Sequence, residues 1–418
     1  MSFFGIKLFR NGNPILILIV GGKIMKKSIL MGTMIFTILF SNFMSAFAEE
    51  KTETTNEEGL DIASEAKSAI LIERDTGKVI FSKNENEQLP PASMAKIMTL
   101  LLAMESIEKG ELKLDEMIRV SERASSMGGS QVFLEAGEEM SVEDLLKSVA
   151  IASGNDASVA LAERISGSEE AFVKQMNNKV NELGLKNTQF QNSSGLPAEN
   201  LYSTAYDMAI IAKELLKYEA ITDYTSIYED YLRKGQDNEF WLVNTNKLVR
   251  FYPGVDGLKT GYTSEAKYCL TATAKKDDMR VIAVVMGVDT VKKRNATVSA
   301  MLDYAFNHYD TKRIFDKDQV ITNLNLMKAE NEKINIITSE SISTIHKKGE
   351  PTENIKTEVH LNKEFNLPMK KGDQAGTLIV KDGEKIISES PLIIEEDVHK
   401  ATYLTLLKRS LRSLAKNQ

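Results

Sequence analysis

The sequence predicts a mixed α/β domain in which one mostly antiparallel sheet carries helices on both faces, followed by a small all-β domain and a terminal amphipathic helix. Three observations carry that prediction. Strand-like apolar runs at 69–73 and 79–81, and again at 268–274 and 281–286, stand at the two ends of a helical block, so the chain can join its ends in a single sheet. Past Lys312, short β-like runs alternate with turns such as Lys371-Gly372-Asp373 and Asp382-Gly383. From Lys400 to Lys416, Leu404, Leu407, Leu411 and Leu414 recur at helical spacing beside Lys408, Arg409, Arg412 and Lys416, with no acid between them.

The elements follow in order. Residues 1–48 read as a signal region: Met25-Lys26-Lys27 is a basic start, Ile29 to Phe43 is mostly apolar, and Ala46-Phe47-Ala48 precedes a cleavage point. Translation is expected to begin at Met25, and residues 49–64, rich in Thr and Glu, form a flexible lead-in. The main domain is placed at 65–310, the all-β domain at 311–396 and the amphipathic helix at 397–418. Within the main domain, Asp75-Thr76-Gly77 turns the first strand pair, and Pro90-Pro91 stops the preceding segment and sets up a helix beginning near Ser93. Ser141-Val142-Glu143-Asp144 is a capping box that opens a helix running into Ser153-Gly154-Asn155. Helices at 157–165, 172–183 and 206–216 follow, interrupted by the loop 192–197, and a last helix spans 290–309.

Composition narrows the function classes. A net charge of −7 argues against nucleic acid as a partner. The single cysteine, Cys269, excludes an internal disulfide framework, and its strand-like setting predicts a buried, inert thiol. No Gly-rich phosphate loop and no His-rich metal spacing occur, so no cofactor is expected. All four histidines (His308, His346, His360 and His399) lie at or beyond the end of the main block, which therefore cannot assemble a Ser-His-Asp site. A nucleophilic hydrolase built from this block needs a lysine or carboxylate base. Ser93 with Lys96, one helical turn on and held against apolar surface, is the best-placed pair.

Three short motifs occur in sequence: Ser93-Met94-Ala95-Lys96, Ser153-Gly154-Asn155 and Lys259-Thr260-Gly261. In that order, the trio resembles the penicillin-binding proteins and class A β-lactamases. The chain as a whole is most similar to the low-molecular-mass serine D-Ala-D-Ala carboxypeptidases of peptidase family S11. The resemblance implies a penicillin-binding/serine β-lactamase-like domain acting on peptidoglycan stem peptides that end in D-Ala-D-Ala, with β-lactams as covalent inhibitors. It makes Ser93 the nucleophile and Lys96 its base. Ser153 relays a proton to the leaving amine, and Asn155 bonds Lys96 and the substrate amide. Lys259, Thr260 and Gly261 hold the terminal carboxylate with help from Arg250, and the backbone N–H groups of Ser93 and Tyr262 form the oxyanion hole. It also implies export to the outer face of the bacterial cytoplasmic membrane, with peripheral attachment through the terminal helix. Two departures stand out: Tyr262 follows the Lys-Thr-Gly where many relatives carry histidine, and the 192–196 loop lacks a histidine often found there. The competing readings are a β-lactamase or esterase on the same scaffold and a catalytically idle module that grips wall peptides.

Overall fold

The computed structural model describes residues 4–10, 13–19, 61–350 and 355–416. Two paired antiparallel strands, Phe4–Arg10 and Asn13–Ile19, form a unit by themselves. The expected signal sequence at 25–48 and the first part of the lead-in lie outside the described residues.

The main domain is organised on a five-stranded antiparallel sheet. Its strands are β1 (Ser68–Glu73), β2 (Val79–Lys83), β3 (Val255–Thr263), β4 (Lys267–Lys276) and β5 (Met279–Val288), in the spatial order β2-β1-β5-β4-β3. The early strand pair and the late trio therefore meet, β5 lying against β1 with Ala283 opposite Leu71. Strands β1 and β5 read as unbroken apolar runs because both of their faces are covered. Ile70, Ile72, Ile282, Val284 and Met286 face one core, while Ala69, Leu71, Val281, Ala283 and Val285 face another.

The first core belongs to the helical block: α1 (Lys96–Glu108), α2 (Val142–Ala150), α3 (Asn155–Ser166), α4 (Glu169–Glu182) and α5 (Ala205–Leu215). The second lies under α6 (Val291–His308), which contributes Val298, Met301, Leu302 and Ala305. Helix α1 is buried from Lys96 to Ser106, as a central helix must be when neighbours surround it. Side-chain caps fix where the helices start: Ser141 accepts from the Asp144 N–H at 3.1 Å, and Thr204 from the Asp207 N–H at 3.0 Å.

After α6 the chain enters a β-rich region: β6 (Tyr309–Phe315), β7 (Val320–Asn325), β8 (Lys333–Thr338), β9 (Ile342–Lys347), β10 (Ile355–Leu361), β11 (Gln374–Asp382) and β12 (Lys385–Ile394). Strands β6 and β9 pair with each other, and the rest form a sheet in the order β7-β8-β12-β11-β10 around Ile336, Leu378, Val380, Leu392 and Ile394. Strands β6, β7 and β9 have no counterpart among the predicted runs: β6 and β7 are polar and partly exposed, and in β9 the buried Ser343 and Thr344 interrupt the apolar run. Ser343 on β9 donates to Asp75 of the β1–β2 turn at 2.6 Å, which ties this region to the main sheet. The last helix, α7, runs Tyr403–Lys416. Arg409 is turned back onto the β-rich region, donating to the carbonyls of Met327, Ala329 and Glu330 and pairing with Glu332.

One backbone contact decides how closely the 192–196 loop can approach the start of α1. Gly195 has φ +80°, and a Cβ placed there would lie 1.9 Å from the Ala92 carbonyl oxygen. Gly195→Ala is expected to lower unfolding free energy by about 1–3 kcal/mol, through the clash together with the left-handed backbone. Chemical denaturation of the two proteins measures the difference.

Candidate active site

Ser93 sits in a 3₁₀ turn, Ala92–Ala95, that runs directly into α1 at Lys96. The three-residue spacing places both side chains on one side of the turn, with Lys96 Nζ 3.2 Å from Ser93 Oγ. The amine is entirely buried. Its other two contacts are acceptors only: Asn155 Oδ1 at 2.6 Å and the Ser194 carbonyl at 2.6 Å. The amide of Asn155 is oriented by its own donor, since Nδ2 gives a 2.6 Å bond to the Gly128 carbonyl and so leaves Oδ1 for the lysine. A neutral amine has two N–H bonds and one lone pair. Two acceptors use the N–H bonds, and the lone pair is left facing the hydroxyl.

Electrostatics favour that protonation state. Burial pushes the Lys96 amine well below the ordinary lysine range, the positive charge of Lys259 pushes it further, and Asp156 opposes both. Asp156 is itself fully buried, accepting from the backbone N–H groups of Val132, Leu134 and Ala157. Lys259 is also buried, and its amine is brought down to about 7, first by burial and then by the guanidinium of Arg294.

Strand β3 carries Lys259, Thr260 and Gly261 to the same place. Gly261 abuts the turn that bears Ser93: a Cβ there would lie 2.8 Å from the Pro91 carbonyl and 3.2 Å from Ala92 Cβ. The absence of a side chain thus lets the strand close on the nucleophile and holds the next backbone unit, that of Tyr262, beside it. Thr260 Oγ1 meets Thr245 Oγ1 at 2.8 Å, and the Thr245 N–H bonds the Ile151 carbonyl just past α2. Strand β3 and the loop of Ser153 are thereby held together. Ser153 has φ +66°, an uncommon conformation for a non-glycine residue, and its hydroxyl is buried with no hydrogen-bond partner.

Of the residues predicted from sequence, Ser93, Lys96 and Asn155 meet in direct contact, while Lys259, Thr260 and Gly261 join them through electrostatics and packing. Arg250 stands apart from them. It is exposed on the short helix Leu248–Phe251, and its guanidinium lies 4.7 Å over the Tyr228 ring. Tyr262 is half exposed, with its ring 4.4 Å from that of Tyr268.

Sequence reasoning missed three contributors. The Ser194 carbonyl holds the lysine, and the loop that carries it is fixed by Glu169, which accepts from both the N–H and the hydroxyl of Ser193. The Ser193 carbonyl in turn accepts from Thr99 and Ser158. Arg294 is the third, a buried guanidinium on α6 lowered to about 10 by burial. Its signal was present: Arg294 shares the helical repeat of Val298, Met301, Leu302 and Ala305, an arginine placed on an apolar face.

Comparison with known proteins matches nearly the whole chain. The family model described as D-alanyl-D-alanine carboxypeptidase matches residues 51–290, and one described as the C-terminal domain of penicillin-binding protein 5 matches residues 309–400. The D-alanyl-D-alanine carboxypeptidase DacF of Bacillus subtilis (strain 168) is 55% identical over 383 residues, covering 91% of this chain and 97% of the relative. Among solved structures, penicillin-binding protein 5 from Haemophilus influenzae superposes with a TM-score of 0.62 at 30% identity, covering 80% of this chain and 98% of that one. Penicillin-binding protein 6B from Escherichia coli gives a TM-score of 0.59 at 28% identity, covering 79% of this chain and 95% of that one.

The coupling of the two lysines sets a direction. Removing the positive charge in Lys259→Gln relieves part of the pressure on Lys96, so the Lys96 amine rises toward the ordinary range. The acid limb of the pH profile for acylation by a β-lactam is then expected to move to higher pH, as read from acylation rates across pH. An unmoved limb counts against the coupling.

Proposed function

The chain belongs to the D-alanyl-D-alanine carboxypeptidase family, and from that premise we propose how its residues divide the work. It is a serine-type hydrolase that removes the terminal D-Ala from peptidoglycan pentapeptide stems. The observation that carries the assignment of roles is the buried Lys96 amine, whose only hydroxyl contact is Ser93.

Ser93 Oγ attacks the carbonyl between the two terminal D-alanines while its proton passes to the neutral Lys96 amine. The resulting oxyanion is received by the backbone N–H groups of Ser93 and Tyr262, which Gly261 keeps close together. As the C–N bond breaks, the Lys96 ammonium gives up its proton through Ser153, whose buried hydroxyl has no partner in the free protein, to the leaving D-alanine amine, and Lys96 is neutral again. Water then attacks the acyl carbon as its proton passes to the neutral Lys96, and Lys96 returns that proton to Ser93 Oγ as the ester bond breaks, which releases the shortened peptide and regenerates the enzyme. Asn155 keeps the base in place and hydrogen-bonds the substrate amide.

A terminal carboxylate needs fixed positive charge. Lys259 supplies it with Thr260, and the buried guanidinium of Arg294 reinforces the potential there. Arg250 lies over the Tyr228 ring in the free protein. Because Lys259 must be protonated to bind the carboxylate, kcat/KM for a peptide with a free carboxyl terminus is expected to fall as pH rises through about 7. A depsipeptide or ester lacking that carboxylate lacks this limb.

We also assign α7 to an anionic membrane surface. Tyr403, Leu404, Leu407 and Leu411 are exposed on it, while Arg409 anchors it to the β-rich region. Among the described residues no helix is long and apolar enough to cross a membrane, so attachment through α7 is peripheral. A protein ending at Thr402 is expected to lose binding to phosphatidylglycerol-containing vesicles in a sedimentation assay, and retained binding would remove the assignment.

The enzymatic reading is tested by incubating the protein with a pentapeptide ending in D-Ala-D-Ala and measuring free D-alanine. Wild type is expected to release it, and Ser93→Ala to release none and to take up no fluorescent penicillin. Labelling without D-alanine release selects a different acyl substrate, and absence of both selects the idle binding module.

A further inference from the structure

The only tryptophan of the chain stands in solvent. A two-stranded hairpin, Glu229–Leu232 and Phe240–Val243, sets Trp241 directly opposite Tyr231. Alternation along the strands puts the two rings on one face, while Leu232 and Leu242 lie on the other and are buried. Trp241 is 54% exposed and Tyr231 44%. Neither ring meets another aromatic ring or a cation among the described residues. An indole and a phenol side by side in water form a patch suited to being covered.

The hairpin is held firmly. Arg233 pairs with Glu138 and donates to the carbonyls of Val132 and Phe133, and Phe240 packs edge to face on Phe133 with ring centroids 5.7 Å apart. At the hairpin's base, Asn244 Nδ2 donates to the carbonyls of Thr225 and Ile227. The rings are thus presented on a fixed support and give up little freedom when covered. The second strand also leads into the active site. Four residues after Trp241 comes Thr245, whose hydroxyl meets Thr260 Oγ1 at 2.8 Å. Four residues span at most about 14 Å, less than the roughly 17 Å of an extended pentapeptide. A polymer that presents a stem at Lys259 and Thr260 is therefore within reach of the rings.

Size and charge narrow what covers this face. Two half-exposed rings offer roughly 200 Å², against about 800 Å² per partner in a stable dimer. The hairpin carries Glu229, Asp230, Asp237 and Glu239 against Arg233 and Lys234, an excess of negative charge that opposes an anionic membrane surface. A sugar suits it. A pyranose ring has an apolar C–H face that lies flat on an aromatic ring, and hydroxyls at its edge that donate to carboxylates such as Glu229, exposed on the same face of the hairpin. The carboxypeptidase reading above, on which this inference rests, supplies such a polymer, because peptidoglycan stems hang from glycan strands.

We propose that Tyr231 and Trp241 form a glycan-binding platform, stacking on sugar rings of peptidoglycan and holding the enzyme on the polymer while Ser93 acts on the stems.

Two measurements test this. With a single tryptophan, the emission of the wild-type protein reports Trp241 alone. Peptide-free glycan strands, prepared from peptidoglycan by amidase digestion, are expected to shift that emission saturably, and a soluble pentapeptide to leave it unchanged. Separately, Trp241→Ala and Tyr231→Ala are each expected to slow D-alanine release from intact peptidoglycan about tenfold and to leave turnover of the soluble pentapeptide unchanged, with Trp241→Phe retaining most of the rate on the polymer. Melting temperatures report folding, and the wild-type emission carries the test if the alanine variants do not fold. No emission change with glycan strands, or equal losses on both substrates in folded variants, overturns the inference and leaves the carboxypeptidase reading intact. An emission shift that follows protein concentration without sugar assigns the face to a second copy, and one produced by phosphatidylglycerol vesicles but not by glycan assigns it to a membrane; either overturns the inference. Release of D-alanine from neither substrate by wild type overturns the carboxypeptidase reading and the inference that rests on it.

Discussion

The site depends on one side chain kept out of water. Lys96 has no exposed surface, yet all three directions around its nitrogen are occupied: two by acceptors that take N–H bonds and one by the hydroxyl of Ser93. An ammonium in that position would bear the full cost of burial, with Lys259 adding repulsion. A neutral amine meets neither penalty. The same geometry that removes the charge also aims the lone pair, so base strength and base direction come from one arrangement.

Much of the surrounding fold maintains that arrangement. The Ser194 carbonyl reaches the lysine because Gly195 lets its loop touch Ala92, and because Glu169, Thr99 and Ser158 fix Ser193 just before it. Asn155 presents its oxygen because its nitrogen is committed to Gly128. Gly261 allows the outer strand of the sheet to close on the serine's turn, which brings Lys259 near enough to influence Lys96. Helix start, inter-helix loop and strand edge come from distant parts of the chain, and the sheet that joins strands β1 and β5 holds them in register.

What could be read from the sequence follows from how local each signal is. The main helices and four of the five main strands were legible because apolar periodicity and capping residues such as Ser141 are local. Ser93 and Lys96 were legible because the main block contains no imidazole, which left few residue types able to act, whereas Asn155 and Lys259 were expected only through the resemblance that the three motifs carry. Ser194 was not, because it contributes a backbone carbonyl, a group every residue possesses. Asp156 and Glu169 act by accepting backbone N–H groups, which no side-chain motif marks. Arg294 was legible in principle from its place on an apolar helical face. Arg250 was expected only through the resemblance, as a helper at the carboxylate, and in the structure its guanidinium lies over the Tyr228 ring. Strands β6, β7 and β9 escaped notice because polar residues, buried in β9 as Ser343 and Thr344, interrupt the apolar run.

The central claim concerns where one proton resides, and it can be measured directly. Nitrogen-15 NMR of lysine-labelled Ser93→Ala protein, with Lys96→Arg as the assignment control, reports the titration of the Lys96 amine while acylation is blocked. The account predicts that the Lys96 signal titrates well below the other lysines. A Lys96 signal that remains that of an ammonium up to the ordinary lysine range would contradict it.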